Sequence, residues 1–554
     1  MTQAPIDSAD ESTTETIADP AGESVARQPG SSLIRSSLVN SSLTLVSRFM
    51  GFLRDLAISY RMGASATPAA DAFYTALAFP NLFRRIFGEG AFAAAFQPAY
   101  VRALAQEGKE AADKLAEEAM AGLALMTILL MAACQLAMPW LMYLINPGYA
   151  HEPDKFKLAV VLTQITMPYL PCMAIYAHLS GVLNSHGRFI VSGIAPTLLN
   201  VVMLAFVLPQ HEAIHAAYWA SIGVFVSGVA QVGLLWWGVG KSGSHMRWVW
   251  PTLTPEIRAL IGKAVPGALS ASAFQINIFI SGILASQVAG ARSWLNAADR
   301  LYQLPVGLVG VAIGVALLPR LSRAVHTGDE ADASRAMDEA ITFAMALTLP
   351  AAAAMLAMPH FMINGLFTRG QFLPYDARAT GEVLLQYGWG APAFVLMQII
   401  NRAFYARQDT KTPMRVALIQ VGVNVALGLA LFRLIGAPGI AAATSAASWL
   451  SVVQMTVILK RRGAYAISPH AVSRLLRVLT ASVLLGVILA LASRWMTQHP
   501  RHIGFGPVHY KELALAALAA LALPLYGGLL FASGGVTPRE LKAALRRKRQ
   551  GALK

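Results

Sequence analysis

Charge is what this chain has least of. Only 13% of its 554 residues are Asp, Glu, Lys or Arg, while 56% are hydrophobic and the mean hydropathy is +0.52. A soluble domain carries about 25% charged residues, so this composition excludes the soluble globular class and points to a membrane protein. Cysteine is nearly absent. Cys134 and Cys172 both fall in apolar segments, which excludes a disulfide framework or a thiolate metal site and leaves two small buried hydrophobes. Acids are also few, 29 against 44 Lys and Arg, for a net charge of +15. Six acids (Asp7, Asp10, Glu11, Glu15, Asp19, Glu23) and one base, Arg27, give residues 1–34 a charge of −5, which leaves +20 for the rest. In a soluble protein that surplus would suggest nucleic acid; between apolar spans it marks loops facing the cytoplasm, and no nucleic-acid partner is expected. A nucleotide loop is missing as well. The stretch "GVGKSGS" near Lys241 resembles one, but the pattern GxxxxGK[ST] needs glycine where Leu235 stands, and no strand precedes it. No cofactor is expected, so transport would draw on a gradient, the membrane potential, or substrate supply and consumption.

What the chain does have is apolar length. Runs such as Ala119–Ala150, Ala213–Gly240, Ala264–Ala291, Ala340–Thr368, Leu434–Leu459 and Leu513–Pro538 exceed the roughly 20 residues that span hydrocarbon. Six shorter runs fit spans with charge at their ends, and two more, near 37–62 and 70–102, are apolar but charged inside, for fourteen helices in all. Residues 1–34, rich in Ser, Thr, Asp, Glu, Pro and Gly, are expected to be disordered and lack the pattern of a signal peptide. Lys- and Arg-rich loops alternate with poorer ones, which places both termini in the cytoplasm.

The chain also repeats itself. "DAFYTALAFP" (Asp71–Pro80) resembles "NAADRLYQLP" (Asn296–Pro305), Pro98 aligns with Pro319, and Asn200 aligns with Asn424, at offsets of 225, 221 and 224. The expected fold is therefore an all-α polytopic membrane protein with two homologous six-helix lobes around a central cationic cavity, plus two C-terminal helices. The domains are a disordered acidic extension (1–34), an N-lobe of helices 1–6 (35–240), a C-lobe of helices 7–12 (241–462), helices 13–14 (463–535) and a basic cytoplasmic tail (536–554). Repeated bundles about a central site are a transporter's architecture.

Against that apolar background a few charges stand inside the spans. The first holds Arg48, Arg54 and Asp55, the second Asp71, Arg84, Arg85 and Glu89, and the eighth Asp299 and Arg300. Each charge at mid-bilayer costs about 2.5–3.5 kcal/mol, so these must face a water-filled cavity, a partner, or each other. Arg85 and Glu89 are i,i+4 and can neutralise one another; Asp55 can serve Arg54 or another helix. Arg48, Arg54, Arg84 and Arg300 remain as a cationic cluster, with Asp55, Asp71, Glu89 and Asp299 as gating or charge partners. Guanidinium groups that stay charged and grip phosphate through a planar fork point to an anionic substrate. Gly51, Gly63, Pro80, Gly88, Gly90, Pro305 and Gly307 around them are expected to interrupt helices beside the cavity. The zincin-like "HEAIH" (His211–His215) falls between spans just after Pro209, with no third ligand nearby, so no metal site is expected.

The stretches "SRFMGFLRD", "DAFYTALAFPNLFRRIFGEGAF", "NAADRLYQLPVGLVGVAIGVALLP" and "YARQDTKTP" together resemble the MurJ (MviN) family of lipid II flippases, within the multidrug/oligosaccharidyl-lipid/polysaccharide exporter superfamily. The resemblance covers roughly residues 35–535. It implies a transporter rather than an enzyme. Its substrate would be lipid II, the undecaprenyl-pyrophosphate-linked disaccharide-pentapeptide, moved from the cytoplasmic to the periplasmic leaflet of the bacterial inner membrane by alternating access. Membrane lipid and other cell-wall synthesis proteins are the implied partners. The resemblance also implies that Arg48, Arg54, Arg84 and Arg300 bind substrate or are essential, and that Asp71 matters. The acidic extension lies outside the family pattern, and Gln303 replaces an acid that some relatives carry. Alternatives are a flippase for another polyprenyl-pyrophosphate-linked oligosaccharide, a cation-coupled exporter of the same superfamily (which would place acids in the cavity), an intramembrane metalloprotease resting on "HEAIH", and a scaffold without transport.

Overall fold

The computed structural model describes residues 30–87, 91–244, 246–499 and 510–534, with some side chains inside helices (83–87 and 263–276 among them) outside the description. Every regular element among the described residues is helical. The N-lobe comprises α1 (Gly30–Met62), α2 (Ala69–Phe87), α3 (Ala91–Gln106), α4 (Lys109–Leu136), α5 (Met138–Ile145), α6 (Pro153–Thr166), α7 (Tyr169–Ser185), α8 (Phe189–Val207) and α9 (Ala213–Lys241). The C-lobe comprises α10 (Pro255–Ala285), α11 (Ala291–His326), α12 (Glu330–Ala357), α13 (Pro359–Phe367), α14 (Pro374–Ala406), α15 (Lys411–Ile435) and α16 (Ala437–Arg461). Two further helices follow, α17 (Pro469–Gln498) and α18 (Tyr510–Ala532), which pack on the C-lobe through Met358, Leu485, Leu489 and Leu518. Among the described residues ten helical spans are long and apolar enough to cross a membrane, with α6 and α7 joined into one; this is a multi-pass membrane protein. The charged helices α1, α2 and α11, and α10, are not among those ten.

The prolines do not break their helices, contrary to the expectation from sequence. Pro80 lies inside a continuous α2 and Pro305 inside a continuous α11. Proline lacks an N–H, so the carbonyl four residues before it is orphaned. In hydrocarbon such a group must find another donor, and neighbouring helices provide it. Thr166 Oγ1 donates to Ala76 O (2.9 Å) behind Pro80, Tyr176 OH to Ser192 O (3.3 Å) behind Pro196, and Tyr526 OH to Ala346 O (2.8 Å) behind Pro350. Gly63 does end α1, at a left-handed φ of 72° that lets its backbone lie against Gln371 of the C-lobe.

The internal repeat reappears as packing. Asn200 on α8 accepts from Arg54 Nη1 on α1 (3.0 Å), and Asn424 on α15 donates to Asn277 on α10. Asn424 lies 224 residues after Asn200, and Asn277 lies 223 after Arg54, so corresponding positions are joined in each lobe, by hydrogen bonds of opposite direction. Each lobe has its own buried core, around Phe73, Met142, Tyr149 and Leu162 in the first and around Leu321, Ile399, Phe404 and Met455 in the second. Cys134 is buried and Cys172 half-buried, both as free thiols.

Candidate substrate site

Between the lobes lies a cavity of about 570 Å3 whose walls include Arg48, Arg54, Gln97, Asn184, Asn200, Gln231, Arg300 and Gln303. Its centre is an ionic triad. Arg54 and Asp55 are adjacent in sequence, yet Arg54 Nε and Nη2 both reach Asp55 Oδ1, at 3.0 and 2.8 Å. From the other lobe Arg300 Nε forms an ion pair with Asp55 Oδ2. The carboxylate is almost fully buried, with 1% of its side chain exposed, so it cannot stand without these cations. Asn200 fixes the ensemble from behind: besides accepting from Arg54, it donates to Ser47 O (3.0 Å), tying α8 to α1.

Arg48 completes the cluster differently. It is exposed to the cavity and has no carboxylate within ion-pair distance among the described residues. Its guanidinium rests on Gly307 of α11, where a Cβ would fall 1.4 Å from Nη1. Gly307 therefore seats an arginine rather than interrupting a helix. Three guanidinium groups against one carboxylate leave two positive charges at this point of the cavity. Arg84 belongs to the helical backbone of α2, but its side chain, like that of Arg85, lies outside the described residues, as do Glu89 and its neighbours Gly88 and Gly90.

The expected charge partners divide. Asp55 joins the arginines. Asp299 instead accepts from Gln303, one turn on, and lines an adjoining cavity of about 370 Å3. Asp71 is not beside the arginines in this state; it seals one end of the inter-lobe space. Its Oδ2 accepts from Lys155 Nζ (3.1 Å) and Gly290 N (2.8 Å), and its Oδ1 from Ser293 N (3.1 Å) and Ser293 Oγ (2.7 Å). The start of α11 has glycine at its cap position and no capping side chain of its own. Asp71 caps it from the opposite lobe, where a carboxylate also meets the positive end of the helix dipole. Asp376 of the C-lobe answers in kind, accepting from Ser65 N (3.1 Å) of the N-lobe and from Trp294 Nε1 (2.9 Å). Gln371 N donates to Tyr60 O (3.0 Å), and Arg292 Nη2 to Asn146 Oδ1 (2.7 Å), across the same seam.

His211 precedes α9 while His215 lies on it, so the pair does not share a helix face, and His215 Nδ1 contacts Glu212 at 3.1 Å. The "YARQDTKTP" stretch is a structural corner away from the cavity. Asp409 accepts from Arg462 Nη1 (2.7 Å) and Thr412, and Arg407 donates to Ala464 O (2.9 Å). Four residues at the inter-lobe space were missed from sequence: Asn200 as a partner of Arg54, Asp376, Arg292, and Gly307 as a seat.

Two repeated helical lobes, joined at one end beside a cavity lined by arginines, fit the class of polytopic membrane transporters. Comparison with known proteins narrows this. The model of the family "Lipid II flippase MurJ" matches residues 58–504. The chain is 37% identical over 524 residues to a probable lipid II flippase MurJ of Rhizobium tropici, covering 94% of this chain and 97% of that one. To the lipid II flippase MurJ of Burkholderia cenocepacia it is 31% identical over 512 residues, covering 91% and 98%. The chain belongs to the MurJ lipid II flippase family. A solved lipid II flippase MurJ in an inward closed conformation shares the fold at a TM-score of 0.73 and 22% identity, covering 89% of this chain and 98% of that one. An inward-facing multidrug resistance MATE transporter of the MOP superfamily aligns at a TM-score of 0.62 and 13% identity, covering 77% of this chain and 98% of that one.

Proposed function

We propose that this protein flips lipid II from the cytoplasmic to the periplasmic leaflet of the bacterial inner membrane by alternating access. The observation that carries the reading is the surplus of guanidinium over carboxylate in the inter-lobe cavity, with no carboxylate on Arg48 among the described residues and Arg54 and Arg300 sharing Asp55. A pyrophosphate diester is a dianion at neutral pH and matches that surplus. Arginine forks suit its oxygens, and a cavity of polar amides suits a sugar-peptide head that cannot cross hydrocarbon bare. The polyprenyl tail stays in lipid and passes along α1 and α11. Arg84, from the same helix as Asp71, is assigned to the same substrate-binding set.

Loop charge supports cytoplasmic termini, which makes the seam held by Asp71 and Asp376 the periplasmic side and the structure an inward-facing state. Rocking of the N-lobe (35–240) against the C-lobe (241–462) would part that seam and disperse the arginines, releasing the head outside. A cation-coupled exporter is disfavoured, because the charges met by a substrate in the cavity are mainly arginines. The test is externalisation of labelled lipid II in cells depleted of the native flippase and supplied with this protein. Restoration by the parent chain and loss with Arg54→Ala or Arg300→Ala at equal membrane level is expected. Restoration by all three equally would overturn the reading.

A further inference from the structure

The cavity continues past the triad toward the sealed end, and there it meets a cation that the pyrophosphate site does not use. Arg292 lies on α11 eight residues before Arg300, roughly 12 Å nearer the seam at 1.5 Å per residue. It lines the adjoining space of about 370 Å3 together with Tyr74, Asn81, Asn296, Tyr387 and Thr444, a set of hydroxyls and amides. Arg300 and Gln303 border both cavities, so the two spaces join at the triad.

Arg292 is held but not neutralised. Nη2 donates to Asn146 Oδ1 (2.7 Å) and to Gly282 O (3.2 Å), while Nε is buried without an acceptor. No carboxylate lies within ion-pair distance of it among the described residues. One turn away on the same face, Asn296 turns its side-chain amide into the same space, beside Tyr74. Gly282 forms a cradle for the guanidinium, since a Cβ there would fall 2.7 Å from Nη2. A half-buried arginine without a counter-ion among the described residues, and with a buried donor unspent, is poised to take an anion.

We infer that Arg292 and Asn296 form a second anion site, which takes a carboxylate of the peptide stem while the pyrophosphate is held at Arg48, Arg54 and Arg300. This rests on the flippase reading and adds to it a distance. The head must present one anion at the triad and another roughly 12 Å deeper, which selects a peptide-bearing lipid over a bare polyprenyl pyrophosphate. Because Arg292 also bridges to Asn146 of the other lobe, a carboxylate there would compete with a contact that keeps the seam closed.

The experiment measures binding to the purified full-length protein in nanodiscs. The probes are three short-chain polyprenyl-pyrophosphate disaccharides, with the peptide stem, with its carboxylates converted to amides, and without the peptide. Wild-type protein should bind the amidated probe about ten- to a hundredfold more weakly than the native one, the range for a charge-assisted hydrogen bond. In Arg292→Gln that difference should collapse, with the peptide-free probe unaffected and Arg292→Lys recovering part of the preference. Equal weakening of all three probes by Arg292→Gln would make Arg292 a part of the pyrophosphate site or of the seam, and would overturn the inference. So would a wild-type protein indifferent to amidation, a result that needs no variant to fold. Wild-type protein that binds none of the three would instead strike at the flippase reading itself.

Discussion

Gly307→Ala isolates Arg48 without touching it. The added Cβ would lie 1.4 Å from Arg48 Nη1 and 2.5 Å from Cζ, so the guanidinium must retreat by about 2 Å to reach ordinary contact distance. The displaced group is the end of a flexible side chain, so the fold itself gives way little. Replacing glycine by alanine inside α11 should even favour the helix, by about 1 kcal/mol. What is lost is the seat that aims a free cation into the cavity. One charge-assisted contact is worth about 1.5–3 kcal/mol, which corresponds to a fall in affinity for a pyrophosphate ligand of about ten- to a hundredfold. The assay is ligand binding to purified protein, paired with thermal stability and with lipid II externalisation in cells. The variant should be at least as stable as the parent yet bind and transport worse. In an Arg48→Ala background the glycine substitution should add nothing, because both changes remove the same contact. Additive losses in the double variant, or a Gly307→Ala protein that binds as the parent does, would refute the assignment of Gly307 as the seat.

Asp71→Asn should weaken the seam, because it strips the counter-charge from a Lys155 that is 2% exposed and removes a cap from α11; breaking a buried pair costs about 3–5 kcal/mol. The expected readout is faster labelling of a cysteine placed at Ser65, together with loss of transport, and unchanged labelling would count against the gating role. Arg84→Ala should abolish complementation while Arg85→Ala is better tolerated, since only Arg85 has an acid at i+4; the reverse order would remove Arg84 from the substrate set. At the corner between α14 and α15, the Arg462 hydrogen bond and then Thr412 hold the Asp409 carboxyl well below the usual carboxylate range. A depressed folded-state value means stability that is present above the ordinary carboxylate value and is lost as pH falls through the folded one. Asp409→Asn should therefore cost less than about 1 kcal/mol at pH 7, and the difference from the parent should shrink below about pH 4.

What could be read from the sequence was whatever acts along one helix or recurs at a fixed offset. Apolar runs gave the spans, and charges stranded inside them gave Arg48, Arg54 and Arg300. The offset between Asn200 and Asn424 gave two corresponding positions, each of which bonds to the first helix of its own half. Contacts between helices were not legible in the same way. The Arg54–Asp55 pair was open from sequence, but not that Arg300 of the other lobe shares the same carboxylate. Asp71 reads as a cavity acid until the structure shows the uncapped start of α11 opposite it. Pro80 reads as a helix break because Thr166, which supplies the missing donor, is remote in sequence. Arg292 was passed over because it follows the apolar run Ala264–Ala291 and so looks like a span's charged end, whereas it faces the cavity.

The repeat also shows how a symmetric scaffold came to hold an asymmetric charge. At corresponding places in the two lobes an asparagine on α8 or α15 bonds to the first helix of its own half, to Arg54 in one case and to Asn277 in the other. The bond is equally serviceable with a neutral amide, so packing alone does not require the arginine. In the N-lobe that position is cationic and turned to the cavity; in the C-lobe it is neutral. The C-lobe's own cation at the triad, Arg300, comes from α11 and reaches back to the N-lobe's Asp55. Charge is thus placed where the two lobes meet rather than where each lobe is held together. A substrate anion entering there competes with Asp55 for arginines of both lobes at once, and a movement that separates α1 from α11 must take one of those arginines away from it. On the proposed reading, that shared carboxylate would couple binding to lobe position with no need for a distant relay.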